Sequence, residues 1–151
     1  MEIQVGEYVR TNQGYIGKLE DIDKEFMYFD NVIMCYYEKA PLLPINMKLP
    51  DGTFLKAEDY IVKHSFNIID LIEKGDFVKL EYYVAKYKKR ITRFFEISKI
   101  DGWQFVGLEN EHCHFTYDLE KNRWLDGKGY NPKIKSIVTK QQMEAMEYEV
   151  K

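Results

Sequence analysis

Cysteine is scarce in this chain: only Cys35 and Cys113 occur in 151 residues, in unrelated local contexts. That excludes a disulfide framework, and an intracellular compartment is the expectation. Long apolar runs are missing too. Apolar runs such as Ile68-Ile69 and Phe94-Phe95 are broken by charge within a few residues, and none approaches the ~20 apolar residues a membrane-spanning helix needs. The opening MEIQVGEYVR lacks the basic region and apolar stretch of a signal peptide, so cytoplasmic residence with no membrane partner is expected. Nor is there an excess of positive charge. The 22 Lys and Arg face 25 Asp and Glu, for a net charge of −3, so the molecule as a whole is not built to coat nucleic acid and any anion-binding role must be local.

Catalytic signatures are absent as well. No G-x-S-x-G elbow occurs, and Asp126-Gly127-Lys128-Gly129-Tyr130 lacks the spacing and the Lys-Ser/Thr ending of a phosphate-cradling loop. The chain therefore reads as non-enzymatic and without a cofactor. What it does have is rings. Its 12 Tyr and 9 Phe favour strands, because aromatic side chains fit a pleated, half-buried surface, and their commoner use is core packing.

A weak internal repeat organises the sequence. Val5-Gly6-Glu7-Tyr8-Val9-Arg10 is echoed by Lys74-Gly75-Asp76-Phe77-Val78-Lys79, with glycine, acid, aromatic, valine and cation in the same order. Each copy reads as the opening strand of a small barrel: the glycine takes a backbone angle closed to other residues, and the alternation sends the aromatic and the valine to opposite faces. After the first copy, a turn at Asn12-Gln13-Gly14 and strands over 15–20, 26–29 and 33–37 make a meander, and Pro41, Pro44 and Pro50 make 40–53 a loop. Ser65 is placed to cap a short helical turn within 61–72. In the second half, Cys113, Phe115, Tyr117 and Leu119 alternate with His112, His114, Thr116 and Asp118, the period of a strand with one core face and one wet face. Asp126-Gly127-Lys128-Gly129 with Asn131-Pro132 reads as a flexible loop. Thr139 and Gln142 fit a capping box ahead of a helix of two or so turns, and Tyr148 to Val150 has room for a last strand that closes the second barrel. The expected architecture is mainly β: an SH3-like module over 1–60, a connecting segment over 61–73 and an elaborated second SH3-like module over 74–151.

The strings VGEYVRTNQGYIGK (5–18), IVKHSFNIIDLIEKGDFV (61–78) and IKSIVTKQQMEAMEYEV (134–150) resemble a family of small uncharacterised proteins encoded by phages and prophages of Gram-positive bacteria. The resemblance implies phage origin and an SH3-like framework, and it carries no catalytic motif. Residues 80–132 depart from it, being longer than the family's usual second half.

That departing segment holds the most suggestive cluster. Lys86, Lys88, Lys89, Arg90 and Arg93 place five cations and no acid within 86–93, with Tyr87 among them and Tyr82, Tyr83, Phe94 and Phe95 flanking. Cations beside rings at a hairpin tip suit phosphates and stacked bases. The same composition also describes a solvated hairpin whose charges block edge aggregation, or a patch that docks an acidic protein surface. Metal chemistry is not expected. His112 and His114 share a strand face, but the only other His or Cys residues are His64, Cys35 and the oppositely facing Cys113, and zinc needs three or four ligands. The acidic stretch Glu20, Asp21, Asp23 and Glu25 lacks EF-hand spacing and reads as a solvated turn. The function expected is that of a binding protein acting by occupancy, with a nucleotide-type ligand or a host defence protein as partner. A nucleic-acid-binding accessory protein is the alternative, and a hydrolase or nuclease ranks below both.

Overall fold

A computed structural model describes residues 3–22, 26–30, 34–36, 61–99, 102–108, 114–125, 129–142 and 147–150. The chain is mainly β and forms two compact units, Met1–Leu71 and Ile72–Lys151. Among the described residues no helix is long and apolar enough to cross a membrane.

The first unit is an antiparallel sheet of β1 (Tyr8–Thr11), β2 (Ile16–Ile22), β3 (Phe26–Phe29), β4 (Met34–Tyr36) and β5 (Ile61–Ser65), in the order β4-β3-β2-β1-β5. The Asn12-Gln13-Gly14 turn closes the β1–β2 hairpin, where Gly14 N donates to Thr11 O at 3.0 Å. Ile3, Val9, Leu19, Met27, Phe29 and Ile61 form the core on one face. Residues 61–73, expected as a connection between modules, divide differently. Ile61–Ser65 pairs with β1, and a 3-10 turn, Ile68–Leu71, follows it within the first unit. Asn67 caps that turn, its Oδ1 accepting from Ile69 N at 3.3 Å, while Ser65 Oγ accepts from Asn67 N at 3.1 Å. Arg10 is fully buried, and its Nη1 donates to Leu71 O at 3.0 Å. A guanidinium cannot shed its proton, so burying it requires acceptors, and the carbonyls at a helical C-terminus are acceptors in need of donors. Arg10 thereby ties β1 to the 3-10 turn.

The second unit is an antiparallel sheet of β6 (Phe77–Val84), β7 (Lys89–Lys99), β8 (Trp103–Gly107), β9 (His114–Asp118), β10 (Arg123–Trp124), β11 (Lys133–Val138) and β12 (Tyr148–Glu149), in the order β10-β9-β8-β7-β6-β11-β12. Alternate residues bury one face: Val78, Leu80 and Tyr82 on β6, Phe95 and Ile97 on β7, Trp103 and Phe105 on β8, Phe115 and Tyr117 on β9. This face is concave. The rings of Tyr82 and Phe115 lie 5.0 Å apart although β6 and β9 are three strands apart, which in a flat sheet is about 14 Å. Edge-to-face ring contacts fill the concavity, linking Phe95, Phe115, Tyr117 and Trp124. The sheet is a curled half-barrel, not a closed one. Tyr148–Glu149 does form the expected last strand, but it pairs with β11 at the edge opposite β10. Thr139 to Gln142 form a turn in which Gln142 N donates to Thr139 O at 3.1 Å, and the expected helix beyond it falls largely outside the described residues.

The repeated signature builds the same device in both units. Gly6 and Gly75 hold φ of +97° and +96°, angles that cost a side chain-bearing residue strain. Gly6 N donates to Leu19 O and Leu19 N to Glu7 O, as Gly75 N donates to Ile97 O and Ile97 N to Asp76 O. Each acid then reaches back three residues: Glu7 Oε2 accepts from Gln4 N at 2.6 Å and Asp76 Oδ2 from Glu73 N at 2.7 Å. The glycine turns the chain and the carboxyl group locks the turn, so the following strand enters its sheet in a fixed register.

Candidate functional site

Strands β6 and β7 form the long hairpin that carries the basic cluster. Residues 85–88 make its tip, where Tyr87 N donates to Val84 O at 3.1 Å and Lys88 N to Ala85 O at 3.2 Å. Lys88 sits at φ +51°. The register below the tip pairs Val84 with Lys89, Tyr83 with Arg90, Tyr82 with Ile91, Glu81 with Thr92 and Leu80 with Arg93. Directly paired residues share a face. Lys89, Ile91 and Arg93 therefore belong to the inner face with Tyr82 and Leu80, whereas Arg90 belongs to the outer face with Tyr83 and Glu81.

This register splits the cluster into cations already engaged and cations left over. Arg90 is engaged: its Nε donates to Glu81 Oε1 at 3.0 Å, and its Nη2 donates to Glu81 O at 3.0 Å and Asn131 O at 2.8 Å. Lys135 Nζ lies 3.3 Å from the other Glu81 oxygen, and on the same face Lys79 pairs with Glu147 at 3.4 Å. The Arg90 hydrogen bond holds the Glu81 carboxyl below its ordinary range against a smaller opposing effect of burial, and Lys135 adds to the lowering. A folded-state pKa below the unfolded one means that the stabilisation is present above the ordinary carboxyl range and is lost as pH falls through the folded value. In Glu81→Gln the urea midpoint should therefore fall less steeply with acidification than in the wild type; parallel pH profiles would contradict this pairing.

The remaining cations stand outside this pairing. Lys86, Lys88 and Lys89 are exposed, and among the described residues none of them pairs with a carboxylate. Tyr87 is 57% exposed, with Lys86 Nζ 5.7 Å from its ring centroid. Arg93 is half-buried on the inner face, and its side chain likewise has no hydrogen-bond or ion-pair partner among the described residues. Tyr130 joins this region, although the sequence places it in a flexible loop. Tyr83 N donates to its carbonyl at 2.7 Å, and its ring, on a residue 45% exposed, lies 6.4 Å from Tyr82 and 5.6 Å from Phe115. The only local hint is an aromatic next to Asn131-Pro132.

Among the described residues no group of three or more His, Cys, Asp or Glu is placed to hold a metal ion. His112 and Cys113 lie outside the described residues, as do Asp23 and Glu25. His64 Nδ1 lies 2.8 Å from Glu7 Oε1 in the first unit. No protein-family model matches the chain, and no curated protein or solved structure matches it significantly.

Proposed function

We propose that the protein is a non-enzymatic binding module that acts by occupancy, and that the tip of the β6–β7 hairpin engages a phosphate-bearing, nucleotide-type ligand. The observation that carries this reading is the division of the cations. Arg90, next in sequence to Lys89, is consumed by Glu81, whereas Lys86, Lys88 and Lys89, which flank an exposed Tyr87 in sequence, find no carboxylate among the described residues. Ammonium groups beside an open ring suit a phosphate and a stacked base. The first unit, with its first strand between β2 and β5, supports an SH3-like reading, and the shared opening device extends that reading to the elaborated second unit. The phage resemblance adds a setting: in a bacterial host's cytoplasm, such occupancy would withhold a nucleotide signal from a defence protein.

Replacing Lys86, Lys88 and Lys89 together by Ala tests the site. The fold should survive, because exposed cations contribute little to stability. Nucleotide affinity should fall by roughly 1 kcal/mol or more for each ammonium group that no longer meets a phosphate, and Tyr87→Ala should remove a further ~1–3 kcal/mol where a base stacks. Equilibrium dialysis against labelled nucleotides reads both, and unchanged binding in the triple variant would refute the site.

Lys88 offers a second test. A lysine at φ +51° occupies a conformation that asparagine tolerates better. Lys88→Asn should raise the stability of the second unit by ~0.5–1 kcal/mol while weakening ligand binding. Thermal melting and dialysis on one sample decide it: a variant no more stable than the wild type, or one that binds equally well, would show that the lysine is not kept there for binding.

A further inference from the structure

We infer that the anion site continues from the hairpin tip along the inner face of β7, and that the ligand fitting it is a short single-stranded oligonucleotide whose phosphates meet Lys89 and Arg93 in turn. The inference rests on the reading of the tip as an anion site and extends it. Its basis is the asymmetry between the two faces of one hairpin. On the outer face Arg90 and Lys135 share the Glu81 carboxylate and Lys79 pairs with Glu147. On the inner face Lys89 and Arg93 have no acidic partner among the described residues.

Spacing then selects the ligand. Lys89 and Arg93 lie four strand positions apart on one face, a separation of about 13 Å. One phosphate serves both only if two long side chains fold toward each other, whereas successive phosphates of a chain meet them in place. Between them lies the level of Tyr82 and Ile91, where the exposed ring of Tyr130 stands against Tyr82. Cation, ring, cation is the order in which a single strand presents phosphate, base and phosphate. A duplex keeps its bases stacked and offers none to that ring, and an acidic protein surface has no use for it.

The test uses fluorescence anisotropy with thymidine oligonucleotides of two, four and eight residues and with labelled thymidine monophosphate, over a salt series. Affinity should rise about tenfold or more from the monophosphate to the four-residue strand. Arg93→Gln should weaken the four-residue strand about fivefold or more and reduce the slope of log affinity against log salt by roughly 0.7, the share of one phosphate on a single strand. Monophosphate binding should not change. Arg93→Lys should keep the slope, and Tyr130→Leu should weaken binding about fivefold or more with the slope unchanged, because stacking releases no counterions. Circular dichroism and melting verify the fold of each variant, and should Arg93→Gln fail to fold, Arg93→Lys and Tyr130→Leu decide.

The failures are distinguishable. If the triple lysine variant loses binding while Arg93→Gln and Tyr130→Leu behave as the wild type, the track is wrong and the tip site stands. If the triple variant also binds as the wild type, the tip reading fails with it. Binding of polyglutamate through the tip, with no oligonucleotide binding, would overturn the inference in favour of an acidic protein partner.

Discussion

Gly102→Ala should destabilise the second unit by about 3 kcal/mol or more, enough to unfold a marginal domain. Two independent costs combine at this position. The backbone holds φ +119°, which is strained for any residue with a side chain, and an added Cβ would lie 2.4 Å from Tyr117 O, a backbone atom that cannot rotate away. Relief requires β8 and β9 to separate where Trp103 pairs with Tyr117. Tyr117 packs its ring 5.2 Å from Trp124, which in turn lies 4.9 Å from Phe105, so the displacement would run into the aromatic core. Gly129→Ala is the internal control. Its φ of +88° carries the strain alone, with nothing among the described residues within 4 Å of the added atom, and about 1 kcal/mol is expected. Urea denaturation of both variants measures the difference, and equal losses would show that the close approach of β9 to Gly102 is wrong.

Asp76→Ala should cost ~2–4 kcal/mol. Asp76 is fully buried, and its carboxyl group accepts from two backbone amides, Glu73 N at 2.7 Å and Lys140 N at 3.0 Å. Removing it takes the acceptor from two part-buried donors at once, a loss larger than the net worth of either bond. It also unlocks the turn before β6 from the turn after β11, two segments 64 residues apart. Asp76→Asn keeps one accepting oxygen and should lose less. Glu7→Ala, the counterpart in the first unit, should also lose less than Asp76→Ala: its second partner, His64, has a side chain 24% exposed, free to turn to water. The three variants ranked by urea midpoint test whether the repeat is one device used twice. A loss at Asp76→Ala below that at Glu7→Ala would contradict it.

Features set by neighbours in sequence were legible in the sequence. The glycine of each repeat copy reads as taking a backbone angle closed to other residues, and both copies hold it, whereas the bond from the following acid to the amide three residues back emerges only in the structure. Phe115 and Tyr117 are buried as their period-two pattern requires. Features set by partners far along the chain were not legible. Ile61–Ser65 looks like a connection until its pairing with β1 is known, and nothing local reveals that β12 joins the edge opposite β10. The basic cluster shows both behaviours. Its composition marked the hairpin, but only the tip geometry sets the register that sends Arg90 to Glu81 and leaves Lys89 and Arg93 on the other face. Counting charges cannot separate a cation that holds the fold from one available to a ligand.

Amide chemical-shift mapping on nitrogen-15-labelled protein, titrated with the four-residue thymidine strand, tests the hairpin site most directly. The expected result is saturable shifts concentrated at residues 84–93 and at Tyr130, fading as salt is raised. Shifts centred elsewhere in the chain, or none along the hairpin at ligand concentrations that saturate binding, would contradict it and leave Lys86, Lys88 and Lys89 as a solubility device at the tip of a β-hairpin.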